Sequence, residues 1–454
     1  MSFYIEPERR LEVRADVDVL VVGGGPAGIM AAKAAARGGS CKVMLVESRG
    51  YLGGNLTIGL PILGFLGPGG KQVIGGYAQE LIDRLRRGGN AGEHKPCKLH
   101  MSLTIVDNEA IKREAFAMME ECGVQVLLYT FVSDAIVEDG AVRGVIVESK
   151  AGREVIMAKR IIDCTGDADV AFRAGVECHK GDAEGGMQPP TLMFSLRGVD
   201  VAALREAIVS HPDIYDMDIM PREQFAQGDF IVVGFRQLIE KARAEGLDIP
   251  VSRTILISGR QEDEIWVNMT RVCGTDSTNP ASYTNCELVS HKQLPVVVEY
   301  LRRFVPGFGS ARLDCVAPFT GIRESRVIVG KYVLTAEDIL NNKSFEDPIC
   351  LASYPVDIHH SKGGDCTLLY SKEAYQLPYR VLVPAKIEGL LVAGKCSSMN
   401  HEAMAATRVM STCMALGQAA GSAARLSILH NVQPSQLDYA LLREELLEQN
   451  VILP

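Results

Sequence analysis

The stretch from Asp18 to Glu47, DVLVVGGGPAGIMAAKAAARGGSCKVMLVE, reads as a strand, a glycine turn, a helix and a second strand. Its glycines fall as Gly23-x-Gly25-x-x-Gly28 directly after the run Val19 to Val22, the context that a dinucleotide-binding turn requires. Gly23 permits the tight turn, Gly25 lets the backbone approach a pyrophosphate, and Gly28 lets the helix lie close to the strand. Pro26 and Ala27 open the helix, where the ring's fixed φ suits the first turn and free N–H groups face a phosphate. Glu47 ends the second strand roughly 20 residues beyond the last glycine, where a carboxylate accepts from ribose hydroxyls. A glycine-rich turn that binds nothing would not need strand, helix, strand and acid together. At this point FAD and NAD both remain open.

With 454 residues, nearly half of them apolar, and a net charge of −9, the chain predicts a soluble globular protein of two interleaved domains. The acidity argues against a nucleic-acid partner. The amino terminus, MSFYIEPERRLEVRADVD, has no apolar core of signal-peptide length, and no apolar run reaches the length of a membrane span. Twelve cysteines are scattered without a C-x-x-C, so the expectation is reduced thiols in a cytoplasm and no metal site.

Beyond Glu47 and Ser48, the segment Tyr51 to Gly76 is rich in glycine and proline, suited to wrapping phosphates or a flat ring at close range. Helical spacing covers Tyr77 to Arg87 and Asn108 to Cys122, with a polar segment between them. Strand-like runs follow at Val124–Tyr129, Phe131–Val137, Val142–Glu148 and Val155–Ile162. Asp139-Gly140 and Ala151-Gly152 are turn signals that make the middle runs an antiparallel meander. The last run leads into Cys164-Thr165-Gly166-Asp167-Ala168-Asp169, placing a glycine and a carboxylate at the carboxyl edge of the sheet, where ligands of doubly wound folds sit.

From about Gly185 the character changes. Strands are expected at Thr191–Leu196, Thr254–Ser258 and Glu264–Met269, and helices at Val201–Val209, Gly234–Glu245 and Ser290–Phe304. This block has no dinucleotide turn of its own. The fold class is therefore α/β: a doubly wound Rossmann-like domain (15–184) with a small antiparallel meander, an inserted mixed α+β substrate domain (185–374), and a return segment of the first domain (375–454). In that return, a short strand at Leu390–Ala393 leads through Gly394 and His401 to Thr412, then into a helix of small residues ending near Leu429.

On these motifs the chain resembles the FAD-dependent oxidoreductases of the glutathione-reductase-like flavoprotein superfamily. More narrowly it resembles bacterial members with a TGDADVA motif, here within Ile161 to Ala171, and a C-terminal HEA…TRV…CMALGQAAG motif, here within Leu391 to Gly421. Gly321 to Arg326 and Tyr354 to His359 are also similar to that family. The resemblance implies FAD, held noncovalently or through a covalent link. It puts the ADP half on Gly23, Gly25, Pro26, Ala27, Gly28, Glu47 and Ser48, and the adenine near Val132. Gly53, Gly54, Asn55, Thr165, Gly166 and Asp167 would then lie near the pyrophosphate and ribityl, and Gly394, Met410, Ser411 and Thr412 near the ring. A helix starting near Ser411 would point its positive end at the flavin N1/O2 edge.

A flavin accepts or supplies hydride, so the protein needs an acid or base and groups that orient substrate. His401 and Arg408, just ahead of the ring-facing helix, are candidates: an imidazole moves protons near neutral pH and a guanidinium holds a carboxylate. A structural histidine and an internal ion pair are the rival readings. Arg323, His359 and Tyr379 are further candidates from the inserted block and its exit, against the commoner fate of exposed ion pairs. Cys396 has no partner at disulfide-reductase spacing and reads as an inert buried thiol. The leading expectation is hydride transfer between flavin and a small organic substrate at a C–C, C–O or C–N bond. The alternatives are a flavoprotein subunit with an electron-transfer partner, and a non-catalytic FAD-binding sensor or scaffold.

Overall fold

The computed structural model describes residues 3–215, 225–226, 228–364 and 366–454. Its largest sheet has seven strands. Glu12–Val22 lies parallel between Val43–Val46 and Gly152–Asp163, and Gln125–Leu127 extends the sheet beyond Val43–Val46, also parallel. Phe131–Glu138 and Ala141–Ser149 add the expected antiparallel meander on the other side. Asp139 and Gly140 both have positive φ, 48° and 73°, the backbone that a two-residue hairpin turn demands. Leu390–Val392 returns from far along the chain to pair in parallel with the end of Gly152–Asp163, Leu391 opposite Ile162.

Two helices of small residues set the position of everything at the carboxyl edge. Pro26–Ala35 packs on Met410–Leu429, both buried along nearly their whole length. A Cβ on Gly417 would stand 2.0 Å from the Ala27 carbonyl oxygen, and one on Gly421 would stand 2.1 Å from that of Ala31. Glycine and alanine four residues apart on each helix therefore form one face of contact. The distant carboxy-terminal motif is thereby fixed beside the glycine turn.

A second, five-stranded antiparallel sheet runs in the order Ile231–Gly234, Thr254–Ser258, Ile265–Val267, Phe194–Arg197, Arg312–Val316. It has its own core, which includes Phe230, Phe235, Tyr300 and Phe308. The long helix of this block spans Pro280–Phe304, ten residues more at its start than the spacing predicts. Asn279 caps it, accepting from the N–H groups of Ala281 and Ser282, and Pro280 occupies the first turn. Exposed polar residues on that first stretch hide its helical period. Val327, Leu334, Ile349 and Tyr375 pack in the core of the large sheet rather than in that of the second.

Candidate active site

At the glycine turn, Gly23 has φ +99°, and a Cβ on it would meet the Cys164 carbonyl oxygen at 2.5 Å. A Cβ on Gly28 would come within 1.7 Å of the Gly23 carbonyl oxygen, so helix and turn touch without room for a methyl. At Gly25 nothing lies within 4 Å of the Cβ position. The turn is closed on its packed side and open where a phosphate would approach. The helix that follows has no side-chain cap at Gly25, which leaves its first N–H groups to a ligand. Glu47 Oε2 accepts from Gly24 N at 2.7 Å, and Oε1 accepts from Arg49 N at 2.8 Å and Ser48 Oγ at 3.0 Å. Three donors fix the carboxylate and leave lone-pair capacity for ribose hydroxyls. Val132 is buried on the neighbouring meander strand.

Gly53 and Gly54, with φ of +120° and +50°, fold over this turn. Gly53 N donates to Gly24 O at 2.8 Å, and Asn55 reaches the central cavity. Across from them, the loop Thr165-Gly166-Asp167 is knotted by Asp163, whose fully buried carboxylate accepts from Thr165 N and Oγ and from Ala171 N. Lys395, beside Gly394 (φ +98°), donates to Asp167 Oδ1 at 2.9 Å, to Ser325 Oγ at 2.9 Å and to the Gly166 carbonyl. Burial would raise the Asp167 carboxyl, but the Lys395 charge and hydrogen bonds hold it below its ordinary range. Met410, Ser411 and Thr412 are buried at the start of their helix, which has no side-chain cap, and Ser411 Oγ donates to Leu63 O at 2.5 Å. Open glycine backbone, the carboxylate of Glu47 and two helix starts without side-chain caps in one tract fit FAD.

Beside Asn55 and Met410 opens a cavity of about 150 Å³. One wall is the second sheet, through Ile231, Val233, Ile255 and Ile257. The opposite wall is polar and centres on Asp357, which accepts from Tyr354 Oη at 2.8 Å and lies 3.3 Å from His359 Nε2 and 3.4 Å from Arg408 Nη2. Burial works against the Asp357 charge, yet His359 and Arg408 hold the carboxyl well below the usual range. Burial and the Arg323 charge push His359 down to about 4, so its imidazole is neutral at pH 7. Its Nδ1 faces Arg271 Nη1 at 3.5 Å. A guanidinium can only donate, so Nδ1 accepts and the proton sits on Nε2, toward Asp357.

Arg323 also lines the cavity. Its Nη1 donates to Thr191 Oγ at 2.8 Å and to the Pro189 carbonyl, and burial with Arg408 nearby lowers it to about 9. His100 faces the same space, its Nδ1 3.6 Å from Cys97 Sγ and its ring parallel to that of Tyr354 at 5.9 Å. Burial opposes its charge, but the Cys97 hydrogen bond and the Asp357 carboxylate outweigh burial and raise it. His100 was not foreseen. Its one signal is the local pair Cys97-x-x-His100, in a polar segment.

Of the sequence candidates, Arg323, His359 and Arg408 come together at this cavity. His401 stands apart from it: its Nδ1 pairs with Glu324 Oε1 at 2.7 Å, and the other oxygen of that buried carboxylate accepts from Gln188 N. Tyr379 lies in the core, its hydroxyl donating to Pro434 O at 2.8 Å. Cys396 is fully buried, and burial pushes its thiol well up. Among the described residues no group of three or more His, Cys, Asp or Glu side chains is placed to hold a metal. Among them also, no helix is long and apolar enough to cross a membrane.

A thiamine thiazole synthase of Aeropyrum pernix is 33% identical over 167 residues, 34% of this chain and 57% of that one. A digeranylgeranylglycerophospholipid reductase of Methanoculleus marisnigri is 29% identical over 181 residues, 36% of this chain and 42% of that one. The chain thus spans about half the length of these curated relatives. Among solved structures, p-nitrophenol 4-monooxygenase of Pseudomonas putida superposes with a TM-score of 0.51 at 12% identity, covering 96% of this chain and 85% of that one. GidA of Aquifex aeolicus gives 0.51 at 16% identity, with 95% and 68% covered. At these identities the likeness establishes the fold. The sequence profile described as FAD dependent oxidoreductase matches residues 18–446, and the chain belongs to that family.

Proposed function

We propose that this FAD-dependent oxidoreductase oxidises or reduces a small organic substrate held in the cavity between the second sheet and the start of helix Met410–Leu429. The observation that carries this reading is the convergence of Arg323, Asp357, His359 and Arg408 with His100 on one cavity that also reaches Asn55 and Met410. FAD would be held by Gly23 to Gly28 and Glu47 at its adenosine end and by Gly53 to Asn55 and Asp167 along its middle. Its ring would lie toward Gly394 and Met410. When bound it supplies the hydride donor or acceptor.

The chain's own residues do the rest. Arg323 and Arg408 orient the substrate. Asp357 fixes Arg408 and the His359 tautomer. His100 lines the cavity with its Nδ1 beside Cys97 Sγ, and we assign to it the proton that a hydride transfer at a C–O or C–N bond must lose or gain. The apolar sheet face excludes water around the reacting bond.

The test is anaerobic mixing of the FAD-loaded protein with a panel of small alcohols, amines and acids, followed by flavin bleaching, and of the reduced protein with unsaturated and carbonyl compounds. Turnover with at least one class, lost in His100→Gln with flavin content unchanged, supports the proposal; a flavin inert to all of them rejects it. All twelve cysteines are free thiols, which supports a reducing compartment, and we place the protein in the cytoplasm.

A further inference from the structure

We infer that the substrate carries a carboxylate, received by Arg323 and Arg408, on a small apolar body that rests on the second sheet. The inference deepens the reading of the cavity as the substrate site and rests on it.

The two guanidinia are incompletely satisfied in complementary ways. Among the described residues Arg323 has no carboxylate partner: its recorded partners are a carbonyl and a hydroxyl, which orient the fork without neutralising it. Arg408 spends Nη2 on Asp357, at 3.2 Å to the carbonyl and 3.4 Å to Oδ2, while its buried Nε has no partner. Asp357 is the sole carboxylate on the cavity wall among the described residues. It is already shared by Arg408, His359 and Tyr354. Arg323 and Arg253, whose Nη2 donates to Cys366 Sγ at 3.3 Å, line the same cavity, so with Arg408 three guanidinia face one carboxylate and their charge is one that desolvation penalises. A planar anion answers this geometry, because paired N–H donors of a guanidinium match the two oxygens of a carboxylate.

The remainder of the ligand follows from the other wall. Ile231, Val233, Ile255 and Ile257 offer hydrocarbon, with Arg253 and Asn268 at the strand ends, so the part of the ligand over the four aliphatic side chains is apolar. The volume of about 150 Å³ is below the range of roughly 300–1,000 Å³ common for drug-sized ligands, so that body is small.

The FAD-loaded protein is titrated with benzoate and isovalerate and, in parallel, with benzamide and isovaleramide, reading binding heat and the visible difference spectrum of the flavin. The acids are expected to bind at least about tenfold more tightly than the amides. Arg323→Gln should reduce that preference severalfold with flavin content unchanged, and Arg323→Lys should keep more of it. Equal affinity for acid and amide would overturn the inference while leaving the cavity as the substrate site. Binding of neither pair would overturn both. The comparison on the unaltered protein needs no variant to fold.

Discussion

Gly417 lies so close to Ala27 that a methyl group on it would stand 2.0 Å from the Ala27 carbonyl oxygen. This contact couples the last long helix to the first. It brings two motifs nearly four hundred residues apart side by side, in the tract proposed to hold FAD. Gly417→Ala must push the helices apart, since the obstructing atom is backbone. The expected cost is about 1–3 kcal/mol of stability, with weaker FAD retention because the glycine turn moves with its helix. Gly309→Ala, at a position where a Cβ meets nothing within 4 Å, should change neither. Thermal unfolding with and without FAD distinguishes the two.

Glu47 is held by Gly24, Ser48 and Arg49. Glu47→Gln keeps one acceptor but loses the charge. FAD affinity should fall by about 1–3 kcal/mol, the worth of hydrogen bonds to a charged acceptor. Reconstitution of the apoprotein, followed by flavin fluorescence, measures it. Unchanged affinity would mean that the ribose does not reach Glu47.

His401 and Arg408 should separate in kinetics. Arg408 faces the cavity, whereas His401 is tied to Glu324 outside it. Arg408→Met should slow flavin reduction by substrate about a hundredfold or more, as expected when a group that orients substrate is lost. His401→Asn should act chiefly through stability. Stopped-flow reduction rates normalised to flavin content test the pair, and a larger rate loss in His401→Asn would reverse the assignment.

Two histidines are pushed down to about 4. His359 is lowered by burial and Arg323, and His94 is lowered by burial and Arg86. Each binds a proton in the unfolded chain below about 6.5 but not in the folded one until near 4. The unfolded state therefore holds more protons across that window, and stability rises with pH through it. Acidification from pH 6.5 to 4 should cost stability through these two groups, and His94→Gln should lower the slope by about one proton. Urea midpoints across this range give the slope; a flat profile would contradict the assigned charge states.

The nucleotide half was legible because its chemistry is local. A β-branched strand, three spaced glycines and an acid lie within thirty residues, and each imposes a backbone conformation recognisable without the rest of the chain. The meander was legible for the same reason, from Asp139-Gly140. The cavity was legible only in part. Arg323, His359 and Arg408 sit in motifs, but what assembles them is tertiary: Asp357 bridging His359 to Arg408, and the second sheet closing over them. Lys395 was invisible because its partner Asp167 is more than two hundred residues away, and His100, though paired locally with Cys97, reaches the cavity only through tertiary contacts such as that with Tyr354. His401, attractive by position, is turned to Glu324 by a pairing that sequence spacing does not encode.

Ile255 offers the most direct measurement of whether substrate is turned over in this cavity. Its side chain lines the space opposite the charged wall, on a strand that is otherwise buried. Ile255→Trp should fill the cavity without touching the glycine turn. The purified variant should be as yellow as the unaltered protein, and its flavin should no longer be reduced by the substrate in stopped-flow. Full flavin content with an unchanged reduction rate would contradict turnover in this cavity.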